Sequence, residues 1–200
     1  MKFMKSLGVL ALSAIALLVL ASSASATTLT SPSGTTLGVG AEAKASSVGE
    51  VILDGTVNVK CKKSTGEGPI QNAGGASTTV KFHIWIFVWS ECGANTVVFV
   101  AHGTLIFHWI KPHLALVTWG GGYRITVLTH NILGTIHCIY VPNESELGTF
   151  KGSSETGSTA TLEINSVPVP RESTDFGCGS TSELTGEYTF TSPDYLDVDS

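Results

Sequence analysis

Beyond residue 26 the chain contains no methionine and only nine Lys and Arg. It also has no apolar run approaching the roughly 20 residues that a membrane-spanning helix needs. With 16 Asp and Glu against 11 Lys and Arg in all, the formal net charge of the whole sequence is −5. Nucleic acid and acidic membrane surfaces both require a basic footprint, so neither is an expected partner. No stretch after residue 26 sustains a 3.6-residue apolar period beyond a turn or two, which excludes a helical bundle. There is no C-x-x-C pair, which argues against zinc and a redox dithiol. Also missing are a Gly-x-Ser-x-Gly elbow, a His-Glu-x-x-His motif and a Gly-rich phosphate loop followed by Lys. The chain therefore reads as a non-enzyme with no cofactor.

What is present begins with an export signal. Lys2 and Lys5 precede an uncharged run from Leu7 to Leu20, and Ala24-Ser25-Ala26 follows. A charged start, a short apolar stretch and a small-x-small exit form a cleavable secretory peptide. Residues 1–26 are expected to be removed, leaving 27–200 as a single all-β domain, secreted or held at the cell envelope. No cysteine lies near the cleavage point to carry a lipid, and Asp197-Val198-Asp199-Ser200 offers no apolar anchor. Export places Cys61, Cys92, Cys138 and Cys178 in an oxidising compartment, where an even count argues for two disulfides. Four cysteines allow three connectivities, among which the sequence does not choose. Cys61–Cys92 with Cys138–Cys178 is the favoured one.

The remainder is dominated by a two-residue rhythm. Leu37, Val39, Ala41, Ala43 and Ala45 alternate with residues such as Glu42 and Lys44. Val51, Leu53, Val57, Val59 and Cys61 do the same across 51–61, and the rhythm returns around 132–140, 160–164 and 184–190. Such a period puts alternate side chains on opposite faces of a strand. Gly-, Pro- and Asn-rich stretches at 66–69, 72–75, 120–122, 142–144 and 152–157 read as turns. The expected fold is an antiparallel β-sandwich, with a barrel as the alternative, of roughly 9–12 strands by the turn spacing. A Gly-Thr-apolar triplet at Gly55, Gly103, Gly134 and Gly148 has no fixed period, so these glycines are expected to mark bulges or bends.

One region stands apart. Trp85, Trp89, Trp109 and Trp119 all fall between 82 and 119, along with Phe82, Phe87, Phe99 and Phe107. In 82–89 both faces are rich in apolar groups, and from 97 to 109 the odd row runs Val97, Phe99, Ala101, Gly103, Leu105, Phe107, Trp109. Strands apolar on both sides are normally central and covered twice, so this stretch is expected to be the middle of the core. The rival reading is a ligand platform of Trp85, Trp89, Trp109 and Trp119 for sugars, lipids or a hydrophobic partner.

Reactive constellations are sparse. All six histidines lie between 83 and 137. His102 and His108 are six strand residues apart, about 20 Å, too far for one ion. His108 and His113 flank Lys111-Pro112, but two imidazoles without a third ligand make a poor metal site. The acidic end with Asp194, Asp197 and Asp199 lacks the oxygen spacing of a calcium loop, so no metal is expected. Asn143-Glu144-Ser145 fits a glycosylation acceptor.

Several short motifs together carry a resemblance. They are Cys61, Asn72-Ala73-Gly74-Gly75-Ala76, Cys92, Cys138, Leu147-Gly148-Thr149-Phe150-Lys151-Gly152 and Thr159-Ala160-Thr161-Leu162. Cys178-Gly179, Leu184-Thr185-Gly186-Glu187-Tyr188-Thr189 and Pro193 to Asp199 complete them. The chain resembles a family of small secreted proteins of high-GC Gram-positive soil bacteria for which no activity is established. The resemblance implies a small exported β-rich domain with its four cysteines paired. The functional expectation is a structural, adhesion or binding role, with a cell-surface glycan or protein as the kind of partner. A carbohydrate- or lipid-binding module using the aromatic strands 82–119, and a secreted hydrolase on a β-sandwich, are the alternatives.

Overall fold

The computed structural model describes residues 27–199 apart from 32, 76–78, 94–95, 133, 154–157, 173–176 and 194–195. The expected export signal and Asp194 of the acidic end lie outside the described residues. Among the described residues every element is a strand. In chain order they are β1 (Thr28–Thr30), β2 (Glu42–Ser47), β3 (Val51–Asp54), β4 (Val59–Cys61), β5 (Lys63–Pro69), β6 (Val80–Ile84), β7 (Ile86–Ser90) and β8 (Thr96–Ala101). They continue with β9 (Gly103–Lys111), β10 (Leu114–Trp119), β11 (Arg124–Asn131), β12 (Gly134–Tyr140), β13 (Glu146–Lys151), β14 (Thr161–Pro170), β15 (Thr181–Ser192) and β16 (Asp197–Asp199). No helix among them is long and apolar enough to cross a membrane.

Every ladder is antiparallel, as the alternation and tight turns require. The main sheet runs β6-β9-β10-β13-β14-β15-β2-β5-β7. Its two ends are one stretch of chain, because β6 leads into β7 through Trp85. An Ile70–Phe82 bridge and the bonds Gln71 N–H to Lys81 O (2.8 Å) and Trp85 N–H to Glu67 O (3.1 Å) draw β5 along that whole stretch. The sheet therefore nearly closes on itself, and of the sandwich and the barrel it takes the barrel-like form. Closure removes the exposed edges that an open sheet of this length would carry. Gly68 makes the close approach feasible: a Cβ there would stand 1.8 Å from His83 O.

A second sheet, β12-β11-β8, flanks the first. A Tyr140–Arg171 bridge joins it to the end of β14, and the disulfide Cys138–Cys178 ties it to the segment leading into β15. Cys61–Cys92 links the end of β4 to the residues just after β7. The favoured connectivity is thus the one the protein has. The pair β1-β16 lies beside the β9–β10 turn, where His113 N–H reaches Val198 O at 3.1 Å, and buries Leu29, Leu196 and Val198.

The strands outnumber the 9–12 expected because several rhythmic stretches fold back or bend. Residues 51–61 are a hairpin, with Val51 opposite Cys61, and not one strand. In 80–90 the inward row changes from even residues (Phe82, Ile84) to odd (Phe87, Trp89) at Trp85. In 96–111 it changes from even (Val98, Val100) to odd (Leu105, Phe107) at His102. These bends overturn the expectation that the aromatic region is covered on both faces. Inside, Phe82, Trp89, Phe107 and Trp119 are buried; outside, Ile86, Val88, Val97 and Phe99 are open to solvent.

Candidate functional site

The two bends have one consequence for the barrel wall. Strands β6 and β9 form a regular ladder from Val80–Phe107 to Ile84–Gly103. Beyond it the hairpin splays, with β7 held by β5 and β8 held by β11. No ladder joins β7 to β8, although they run side by side. Gly103 sits where they part, and its missing Cβ is filled by the Tyr123 ring, which would stand 2.4 Å from one.

Behind this seam the barrel interior holds a cavity of about 40 Å3. Much of its lining is aromatic: Phe82 and Phe190, with Phe87 and Trp89 from β7, Trp119 from the end of β10, Tyr123 just before β11 and Tyr188 from β15. Trp119 and Tyr123 pack edge-on with ring centroids 4.5 Å apart, and Phe87 touches Trp89, Tyr123 and Tyr188. The rest is mainly aliphatic, including Leu105, Ile125, Leu147, Leu162, Ile164 and Leu184. No charged side chain lines the cavity.

The few polar atoms in this wall differ in their partners. Tyr188 Oη and Ser64 Oγ hydrogen-bond at 2.8 Å, both buried. The Trp89 indole N–H leans toward the same phenol but falls short of a hydrogen bond. Trp119 Nε1 and Tyr123 Oη are buried with no partner. Burial, and secondarily the neighbouring Tyr188, pushes the Tyr123 phenol well above its ordinary range. Burial likewise raises Tyr188, against the smaller opposing effect of Ser64. Both phenols therefore stay protonated near neutrality, and Tyr188 has no capacity to take a proton from Ser64. The arrangement provides apolar surface and neutral hydrogen-bond donors.

The four tryptophans of the expected platform do not share a surface. Trp89 and Trp119 line the interior, Trp109 is partly buried on β9 with its indole N–H enclosed, and Trp85 is 50% exposed at the β6–β7 bend. The histidines disperse: His108 Nε2 meets Thr118 Oγ1 at 3.0 Å, His113 Nδ1 meets Asp197 Oδ2 at 2.7 Å, and His83 packs edge-on against His102. Among the described residues no three potential metal ligands converge. Two surface grooves hold ion-paired side chains, Glu163 with Lys151 beside β13 and β14, and Lys44 with Glu67 beside β2 and β5, and the first also holds Glu146. Tyr123, Tyr188 and Ser64 were not singled out from sequence; the one signal was the uninterrupted alternation on β15, which places Tyr188 inward. Comparison with protein-family models, curated proteins and solved structures finds no match for this chain.

Proposed function

We propose that the chain is a non-enzymatic protein, exported to the cell envelope or beyond, that acts by binding a small uncharged molecule inside its barrel. The observation that carries this reading is an apolar interior cavity lined by three residues, Trp89, Trp119 and Tyr123, whose buried N–H or O–H groups have no hydrogen-bond partner. Unsatisfied buried polar groups cost roughly 1–3 kcal/mol each, so folds retain few of them, and a ligand that accepts their hydrogens removes that cost. Export is supported by the two disulfides, which persist in oxidising compartments. Of the two ligand classes suggested for the aromatic strands, an apolar molecule suits this lining better than a sugar, whose hydroxyls need many polar partners.

Tryptophan emission tests the reading, because Trp89 and Trp119 stand in the wall. Titration of the exported chain with cyclopentanone or methylenecyclopentane is expected to give a saturable change, and soluble cello-oligosaccharides none. Indifference to both cyclic compounds would overturn the proposal. N-terminal sequencing of the exported protein is expected to start at Thr27; retention of residues 1–26 would contradict the export reading.

A further inference from the structure

We infer that the interior site selects an uncharged ligand bearing a single hydrogen-bond acceptor, of the ketone, ester or ether class, and takes it in sideways between β7 and β8. The inference rests on the binding role proposed above and adds the ligand's chemistry and its route. The indole N–H of Trp119 can only donate, and a protonated phenol beside it donates readily. Trp119 and Tyr123 are 4% and 3% exposed, their rings adjoin, and both line the cavity. An acceptor oxygen suits such a pair, whereas a ligand that can only donate does not. The nearby Tyr188 hydroxyl is engaged with Ser64, and the Trp89 indole N–H, a third unpartnered donor of the wall, leans toward that phenol. A charged ligand would lose its hydration to a wall without a counter-charge, a cost of many kcal/mol.

Size decides the route. An apolar cavity of about 150 Å3 is the scale that admits benzene, and this one measures about 40 Å3. Entry of anything beyond a few heavy atoms requires the wall to yield. The strands of the main sheet are hydrogen-bonded in succession from β6 round to β7, while β7 and its neighbour β8 are joined by no ladder. Of the lining residues on the two strands that flank this seam, Phe87 and Val100 are only partly buried, while Trp89 is buried. Outside it the exposed side chains of Ile86, Val88, Val97 and Phe99 give an apolar approach.

The test is a pair of binding isotherms with cyclopentanone and methylenecyclopentane, which share ring and exocyclic double bond and differ in the acceptor oxygen. Wild type is expected to bind the ketone about tenfold more tightly, a difference on the scale of one hydrogen bond. Tyr123→Phe and Trp119→Phe are each expected to reduce that preference at least threefold with methylenecyclopentane affinity unchanged, circular dichroism reporting an intact fold. Val100→Ala is expected to speed association of both probes. Equal affinity for the two probes overturns the acceptor assignment while leaving the binding role in place. Binding of neither overturns both. A preference that survives both donor variants overturns the named donors, and an unchanged association rate in Val100→Ala overturns the lateral route.

Discussion

At the scale of residues, two phenols in one wall carry opposite expectations. Tyr123 Oη is buried without a partner, so Tyr123→Phe removes a desolvated hydroxyl and is expected to leave stability unchanged or raise it. Tyr188→Phe strands Ser64 Oγ in the interior and is expected to cost about 1–2 kcal/mol in urea unfolding. Alkali probes the same pair. Both phenols are raised in the folded protein above the ordinary value of 10.0, so the unfolded chain loses its protons first. Stability from this source is complete below about pH 10 and declines as pH rises further, by roughly 1.4 kcal/mol per pH unit and tyrosine. Tyrosinate absorbance from these two side chains is expected only together with loss of the β-sheet circular dichroism signal. Early ionisation of both in an intact fold would show that they are not enclosed.

At the scale of elements, the account turns on where strands bend. Alternation in 134–140, 161–164 and 184–190 is legible because each stretch keeps one phase and buries one face, whereas of 37–45 only the part from Glu42 onward is strand and Val39 is exposed. It misleads in 51–61, where two short strands separated by a turn happen to preserve parity. It also misleads at Trp85 and His102, where the inward row changes over with no break in apolar composition. A bend that reverses phase leaves no trace in a sequence apolar on both faces, so the open outer row of β7 and β8 was not foreseeable. The ring closure of the barrel was hidden for a related reason: it depends on β5 meeting β6, a contact between strands that no tight turn connects. That closure makes Gly68 sensitive, because a methyl group there meets His83 O of the backbone. Gly68→Ala is expected to destabilise by about 3 kcal/mol, and Gly38→Ala, with nothing within 4 Å, to be close to neutral by chemical denaturation. Equal effects would mean that β5 and β6 are not in contact.

At the scale of the whole molecule, the disulfides and the interior work together. Cys61–Cys92 and Cys138–Cys178 close loops of 31 and 40 residues, and loops of that size correspond to about 4 kcal/mol each on the chain-entropy model. Cys138→Ser with Cys178→Ser is expected to lower unfolding free energy by that order, since little else than the Tyr140–Arg171 bridge region joins β12 to the main sheet. A loss below about 1 kcal/mol would indicate that the flanking sheet is held by packing alone. The cysteine count made cross-linking legible from the sequence, and the aromatic density of 82–119 pointed to the right part of the chain. The cavity itself was not legible, because its lining comes from β2, from β5 through β11 and from β13 through β15, residues far apart in the sequence.

Methyl-resolved NMR of the exported, disulfide-bonded protein during titration with cyclopentanone tests the interior site most directly. The account predicts saturable shifts at Leu105, Ile125, Leu147, Ile164 and Leu184, which line the cavity, with Ile110 and Ile132 on the outside unmoved. Shifts confined to Ile86, Val88 and Val97 on the outer face, or no saturable shift at any methyl, would contradict it.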